Sequence, residues 1–123
     1  MTSGLIVFAH GSRIESANEG VRAVARDLAR LGSFHDVQPA FLELGHPDLA
    51  GAIEALSARG VGRIVVLPYF LTLGLHLERD LPQLIAAAQQ AHPGVEIRVA
   101  PPLEGHPGLL SALLERAQSA LSD

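Results

Sequence analysis

The sequence predicts an α/β domain, a three-layer sandwich around a four-stranded parallel sheet, and three observations carry that expectation. Four short apolar runs rich in β-branched or aromatic residues occur at residues 5–9, 37–42, 64–67 and 95–100. Between and after them, apolar residues recur at spacings of three and four, the period of an amphipathic helix. The chain has 123 residues, 48% of them hydrophobic, which suits one compact core and a single domain over residues 1–123.

Taken in order, residues 5–9 form a wholly apolar first strand, and Val21, Val24, Ala25, Leu28 and Leu31 mark the first helix. The second strand leads to a helix carrying Leu49, Ile53 and Leu56, and the third to one carrying Leu81, Leu84, Ile85 and Ala88. After the fourth strand, Leu110, Leu113, Leu114, Ala117 and Leu121 mark a last helix. The punctuation agrees: Gly32 and Gly60 follow the first two helices, Pro47 and Pro107 stand where helices begin, and Pro93-Gly94 breaks the third. Strict alternation of strand and helix implies right-handed crossovers with helices on both faces, here a flavodoxin-like half with strand order 2-1-3-4. Asp80 is expected to cap the third helix, because Pro82 fits a first turn.

Composition removes several classes of chemistry. There is no cysteine, so thiolate nucleophiles and cysteine metal sites are excluded. All nine basic residues are arginines, which excludes a Schiff-base lysine and the P-loop lysine. A formal charge of −4, with arginines spread along the chain, gives no field for nucleic acid. No apolar run approaches the roughly 20 residues of a membrane span, and no basic leader precedes the first strand, so the expected setting is soluble and cytoplasmic, without membrane contact.

Ligands of open parallel sheets bind beyond the carboxyl ends of the strands, where strand order reverses. His10 follows the first strand, Glu43 the second, and His76 lies in the loop after the third, so all three belong to that edge. Two imidazoles and a carboxylate make an open site for Fe²⁺, Co²⁺, Ni²⁺ or Zn²⁺, although a single histidine at a strand end is more often a loop residue than a ligand. Asp80 is a candidate to orient His76.

Around these residues two roles stay open at each position. Gly11, Ser12 and Arg13 suit an anion cradle, and Ser12 equally suits a helix cap. Tyr69, Phe70, Leu71 and Leu75 belong to an apolar loop fit to be covered by a flat ligand or by a partner subunit. His46 and His106 precede prolines at helix starts, where helix entry explains them; His35 and His92 are expected in solvated positions. Arg22, Arg26 and Arg30, preceded by Glu15 and Glu19, read as a solvated helix face.

Three segments, Ala-His10-Gly-Ser-Arg, Phe-Leu-Glu43-Leu-Gly-His-Pro, and the run from Pro68 through His76 to Pro82, resemble the small CbiX/SirB-like sirohydrochlorin chelatases over essentially the whole chain, down to Ala100-Pro-Pro-Leu and His106-Pro107. That resemblance implies a single-lobe class II chelatase, two copies of which enclose a tetrapyrrole. Its implied reaction is insertion of cobalt or iron, or nickel in one branch, into sirohydrochlorin on the way to cobalamin or sirohaem, with the metal as substrate and no organic cofactor. The family's two metal-binding histidines fall on His10 and His76, and its acidic residue on Glu43. Because the substrate carries several carboxylates and the chain is net acidic, Arg13 and Arg79 are the candidates to bind those carboxylates, with surface ion pairing as the alternative.

Two other functions compete. A non-catalytic module that binds or delivers tetrapyrrole or metal would use the same residues. A phosphotransfer role for His10 is disfavoured because Ala9, not arginine, precedes it.

Overall fold

The structure, a computed structural model, describes residues 2–122, so Met1 and Asp123 of the expected single domain lie outside the described residues. Strand β1 (Ser3–Ala9) is central, with every residue from Gly4 to Ala9 buried. It pairs in parallel with β2 (Asp36–Phe41) and β3 (Arg63–Pro68), and β3 pairs in parallel with β4 (Glu96–Val99). The sheet order is β2-β1-β3-β4, as the alternation predicted. Pro39 is accommodated because β2 is an edge strand, where one missing N–H costs no ladder bond.

Alternate residues of β1 serve two cores. Leu5, Val7 and Ala9 pack with Val21 and Ala25 of α1 (Glu15–Leu31). On the opposite face Ile6 and Phe8 pack with Leu49, Ala52, Ile53 and Leu56 of α2 (Leu49–Ala58) and with Leu77, Leu81 and Ala88 of α3 (Gly74–Ala91). The last helix, α4 (Pro107–Ser119), joins neither core and has no buried residue. Among the described residues no helix is long and apolar enough to cross a membrane.

The helix starts correct three expectations. Helix α1 begins at Glu15 without a side-chain cap; Ser12 instead folds back in a tight turn, its Oγ accepting from the Ile14 N–H at 3.0 Å. Helix α3 begins at Gly74, so Asp80 is not its cap, and Pro82 lies in the helix interior. The interior proline costs about 3 kcal/mol, whereas fully burying two leucine side chains gains about 3–6 kcal/mol. The early start puts Leu77 and Leu81 into the core and wins. It also takes Leu75 and His76 out of the loop and into the first helical turn.

Other ends follow the sequence closely. Asp48 caps α2, its Oδ1 accepting from Gly51 N at 2.8 Å, and His106 caps α4 through Nδ1 and Gly108 N at 2.8 Å, with Pro107 next. The charged stripe of α1 is a paired surface in which Arg22 binds Glu15 and Glu19, and Arg26 binds Glu19.

Candidate functional site

The β1–β2 ladder continues past both strands, and this brings two distant residues together. Leu42 N donates to Ala9 O at 2.9 Å and Glu43 N to His10 O at 3.0 Å. With the two backbones side by side, His10 Nε2 meets Glu43 Oε1 at 2.9 Å, both side chains being more than half exposed. A carboxylate accepts only, so the imidazole proton sits on Nε2 and the Nδ1 lone pair is left free to bind a metal ion. Glu43 in this arrangement is the carboxylate that orients a histidine, a recurrent companion of metal-binding imidazoles.

The turn that holds this pair is tightly specified. Gly11 has φ +93°, and a Cβ there would lie 1.7 Å from the Glu43 carbonyl oxygen. Leu44, the next residue after Glu43, also has positive φ, at 58°, which is strained for a side chain of its size. Asn18 secures both turns. It is only 2% exposed; its Oδ1 accepts from Ser12 N, and its Nδ2 donates to Ser12 O and Leu44 O, each at 2.9 Å. Sequence reasoning missed Asn18, although it stands in line with Val21 and Ala25 on the apolar face of α1, where an unpartnered amide would not be tolerated.

His76 lies on the exposed first turn of α3, beyond the end of β3. Arg79 Nη2 lies 3.2 Å from its Nδ1, and because guanidinium only donates, Nδ1 accepts. The neutral ring then carries its proton on Nε2. Asp80 is paired with Arg79 at 3.7 Å rather than with His76. Among the described residues, no three His, Asp or Glu side chains stand close enough together to hold a metal ion, so a single chain brings His10 to Glu43 but does not assemble them with His76.

The apolar lip has two parts. Tyr69, Leu71 and Leu75 are exposed, while Phe70 turns inward and packs edge-on against Phe8, centroids 6.0 Å apart. Tyr69 N donates to Phe8 O at 2.7 Å, which ties the lip to the carboxyl end of the central strand that carries His10. Arg13 is exposed beside the His10 turn, and Ser12 presents its hydroxyl to the backbone of that turn.

The chain is similar to proteins of one family in sequence and in fold. The family model CbiX matches residues 4–120. A sirohydrochlorin cobaltochelatase of Sulfolobus acidocaldarius is 34% identical over 97% of this chain and 93% of its own length. The chloroplastic sirohydrochlorin ferrochelatase of Arabidopsis thaliana is 32% identical over 97% of this chain, and the match spans 53% of that protein; for a Methanopyrus kandleri sirohydrochlorin cobaltochelatase the span is 57%. The chain thus covers little more than half the length of these last two relatives. Among solved structures, a CbiX protein of Marinobacter aquaeolei superposes with a TM-score of 0.84 at 30% identity, covering 97% of both chains. The chelatase SirB of Bacillus subtilis in complex with cobalt superposes with a TM-score of 0.87 at 28% identity, over 97% of this chain and 51% of SirB. Matched along nearly its whole length in sequence and in fold, this chain belongs to the CbiX family.

Proposed function

We propose that this protein inserts a divalent metal ion, Co²⁺ or Fe²⁺, into sirohydrochlorin, and that two copies enclose the macrocycle. The observation that carries the reading is the His10–Glu43 pair, exposed at the carboxyl rim of a parallel sheet beside an uncovered apolar lip. The named activities of the relatives agree with it, as does SirB's complex with cobalt.

The chemistry asked of the site is an exchange. A divalent ion enters the ring, forms bonds to the pyrrole nitrogens, and displaces two N–H protons, which must be taken up by bases. His10 Nδ1 offers the incoming ion a neutral nitrogen ligand, and Glu43 holds that tautomer; as the ion leaves the imidazole, Glu43 takes up one of the two protons and the vacated Nδ1 takes up the other. His76, which one chain leaves apart from the His10–Glu43 pair, offers a second imidazole once Arg79 has turned from its Nδ1 toward a substrate carboxylate, which it binds as a bidentate fork. Arg13 serves a second carboxylate, and Tyr69, Leu71 and Leu75 cover the apolar face of the ring.

The experiment is to mix purified protein with sirohydrochlorin and Co²⁺ or Fe²⁺ and to follow the absorbance of the metallated ring against a protein-free control. A rate above control that His10→Ala lowers about 10²-fold or more is expected. Binding of the tetrapyrrole with no rate above control would mean that the protein delivers ligand or metal rather than reacting them.

A further inference from the structure

Leu44 is held in a conformation that its own chain does not need a leucine to adopt. Among the described residues it is the only one other than glycine with a left-handed φ, 58°, where glycine fits without strain and a leucine does not. The backbone there is fixed by its neighbours. Asn18 Nδ2 donates to Leu44 O at 2.9 Å, and Gly45 runs so close to Phe41 that a Cβ on it would lie 2.8 Å from the ring. Packing therefore explains the turn and the glycine at 45. It does not explain a leucine at 44, which is half exposed and belongs to neither core. Strain of this kind gathers at ligand clamps, where a side chain is held for what it meets outside the chain.

The sheet order says what Leu44 meets. Strand β1 lies between β2 and β3, and the chain beyond each neighbour stays tied to the end of β1: Leu42 N donates to Ala9 O on one side, Tyr69 N to Phe8 O on the other. The connections after β2 and β3 thus leave the rim on opposite flanks of His10. Exposed Tyr69, Leu71 and Leu75 belong to the β3 flank. Leu44 belongs to the β2 flank, one residue beyond the carboxylate that meets His10 Nε2. Exposed Ile14 ends the His10 turn that the same Asn18 secures. Apolar side chains therefore flank the His10–Glu43 pair on both sides, an arrangement suited to a flat ring with apolar faces. A protein surface seated on Leu44 would instead close the rim by which the ring has to arrive.

We propose that Leu44 is a positioning residue for metal insertion: its side chain packs on the sirohydrochlorin ring from the β2 flank and sets the place of the ring over His10. The backbone strain keeps that side chain at the rim, and a ring displaced by its loss would meet the ion out of line.

This inference rests on the metal-insertion reading above, and the test tells the two apart because ring binding is measured without metal. Sirohydrochlorin is titrated into the unmodified chain, Leu44→Gly and Leu44→Met, followed by its absorbance, and kcat for Co²⁺ insertion is then measured for each. In Leu44→Gly, Kd for the ring is expected to rise about tenfold, the worth of one leucine contact, and kcat to fall about tenfold. Co²⁺ affinity without the ring should stay unchanged, and the melting temperature should hold or rise, since glycine relieves the positive φ. Leu44→Met, similar in volume and equally strained, should return Kd and kcat to within about threefold of the unmodified chain. Leu31→Ala, which removes an exposed leucine from the far end of α1, should change neither. An unmodified chain that binds the ring and inserts no metal would end the insertion reading and, with it, the positioning role. Insertion that proceeds with Kd and kcat unaltered in Leu44→Gly, or with Kd alone altered, would overturn the role of Leu44 and leave the reaction standing. A lower melting temperature or a changed mass in solution for Leu44→Gly would give the side chain to the fold or to a protein contact, and would likewise overturn it.

Discussion

The carboxamide of Asn18 donates to the carbonyl of Leu44 across 2.9 Å, and through it helix α1 holds the turn that carries Glu43 against the turn that carries His10. Asn18→Ala orphans Ser12 N and frees Leu44 from its positive φ. Each orphaned buried group costs about 1–3 kcal/mol, and a total loss of about 2–4 kcal/mol is expected in urea unfolding. Asn18→Asp loses more at neutral pH, because its carboxylate faces two carbonyl oxygens. In either variant Co²⁺ affinity, measured by calorimetry on folded protein, is expected to fall although His10 and Glu43 are intact. Unchanged affinity would show that Asn18 serves stability alone.

Gly11 offers a test in which strain and collision can be separated. Gly11→Ala places a Cβ 1.7 Å from the Glu43 carbonyl oxygen at φ +93°. Gly60→Ala has similar φ, +85°, with nothing within 4 Å. The positive φ alone costs about 1–2 kcal/mol, so Gly60→Ala should lose about that much. The additional loss at Gly11, expected to bring its total to about 3 kcal/mol or more in the same unfolding measurement, is the cost of prying the two turns apart. Equal losses would mean that the turns move aside freely.

The sheet was legible in the sequence because apolar runs define strands, and its order placed His10, Glu43 and His76 at one edge; the direct His10–Glu43 contact was not, since the order reversal between the first and third strands pointed to His10 and His76 as the pair sharing a crevice. The start of α3 was not legible, since Pro82 reads locally as a helix entry and only the burial of Leu77 and Leu81 shows why the helix runs through it. Asn18 carried a usable signal, a polar residue on an apolar helical face. For α4, periodicity identified the apolar side of the helix; it says nothing about whose core that side enters, and no residue of α4 is buried in its own chain.

Arg79 provides a prediction in which metal and macrocycle respond differently. Its guanidinium donates to His76 Nδ1, so it competes with any metal ion for that nitrogen, whereas the proposed substrate carboxylates would draw it away. Arg79→Gln is expected to leave Co²⁺ affinity equal or tighter in the absence of tetrapyrrole, and to raise the KM for sirohydrochlorin about tenfold, the loss of roughly 1.4 kcal/mol of charge-assisted binding. A KM that stays constant would return Arg79 to a plain surface pairing with Asp80.

Acid should loosen the β4 edge first. Glu96, paired in register with Arg63, is held below the ordinary carboxylate value by hydrogen bonds from Arg63 and then Arg98. For Asp36 on the opposite edge, burial raises the value, but hydrogen bonds from Gln38 and Arg59 outweigh it and the net direction is also down. Both groups bind protons more weakly in the folded chain than in the unfolded one. Their contribution to stability is therefore complete above the unfolded values, about 4, and is lost as pH falls through the lower folded values. Melting temperature followed from pH 7 toward pH 3 should drop less steeply in Glu96→Gln than in the unmodified protein, and the gap between the two should close below about pH 4. Because Glu96 is only partly buried at the sheet edge, 0.5 M salt should narrow that gap at every pH, and a gap indifferent to both salt and pH would show that the charge on Glu96 does not hold β4 in place.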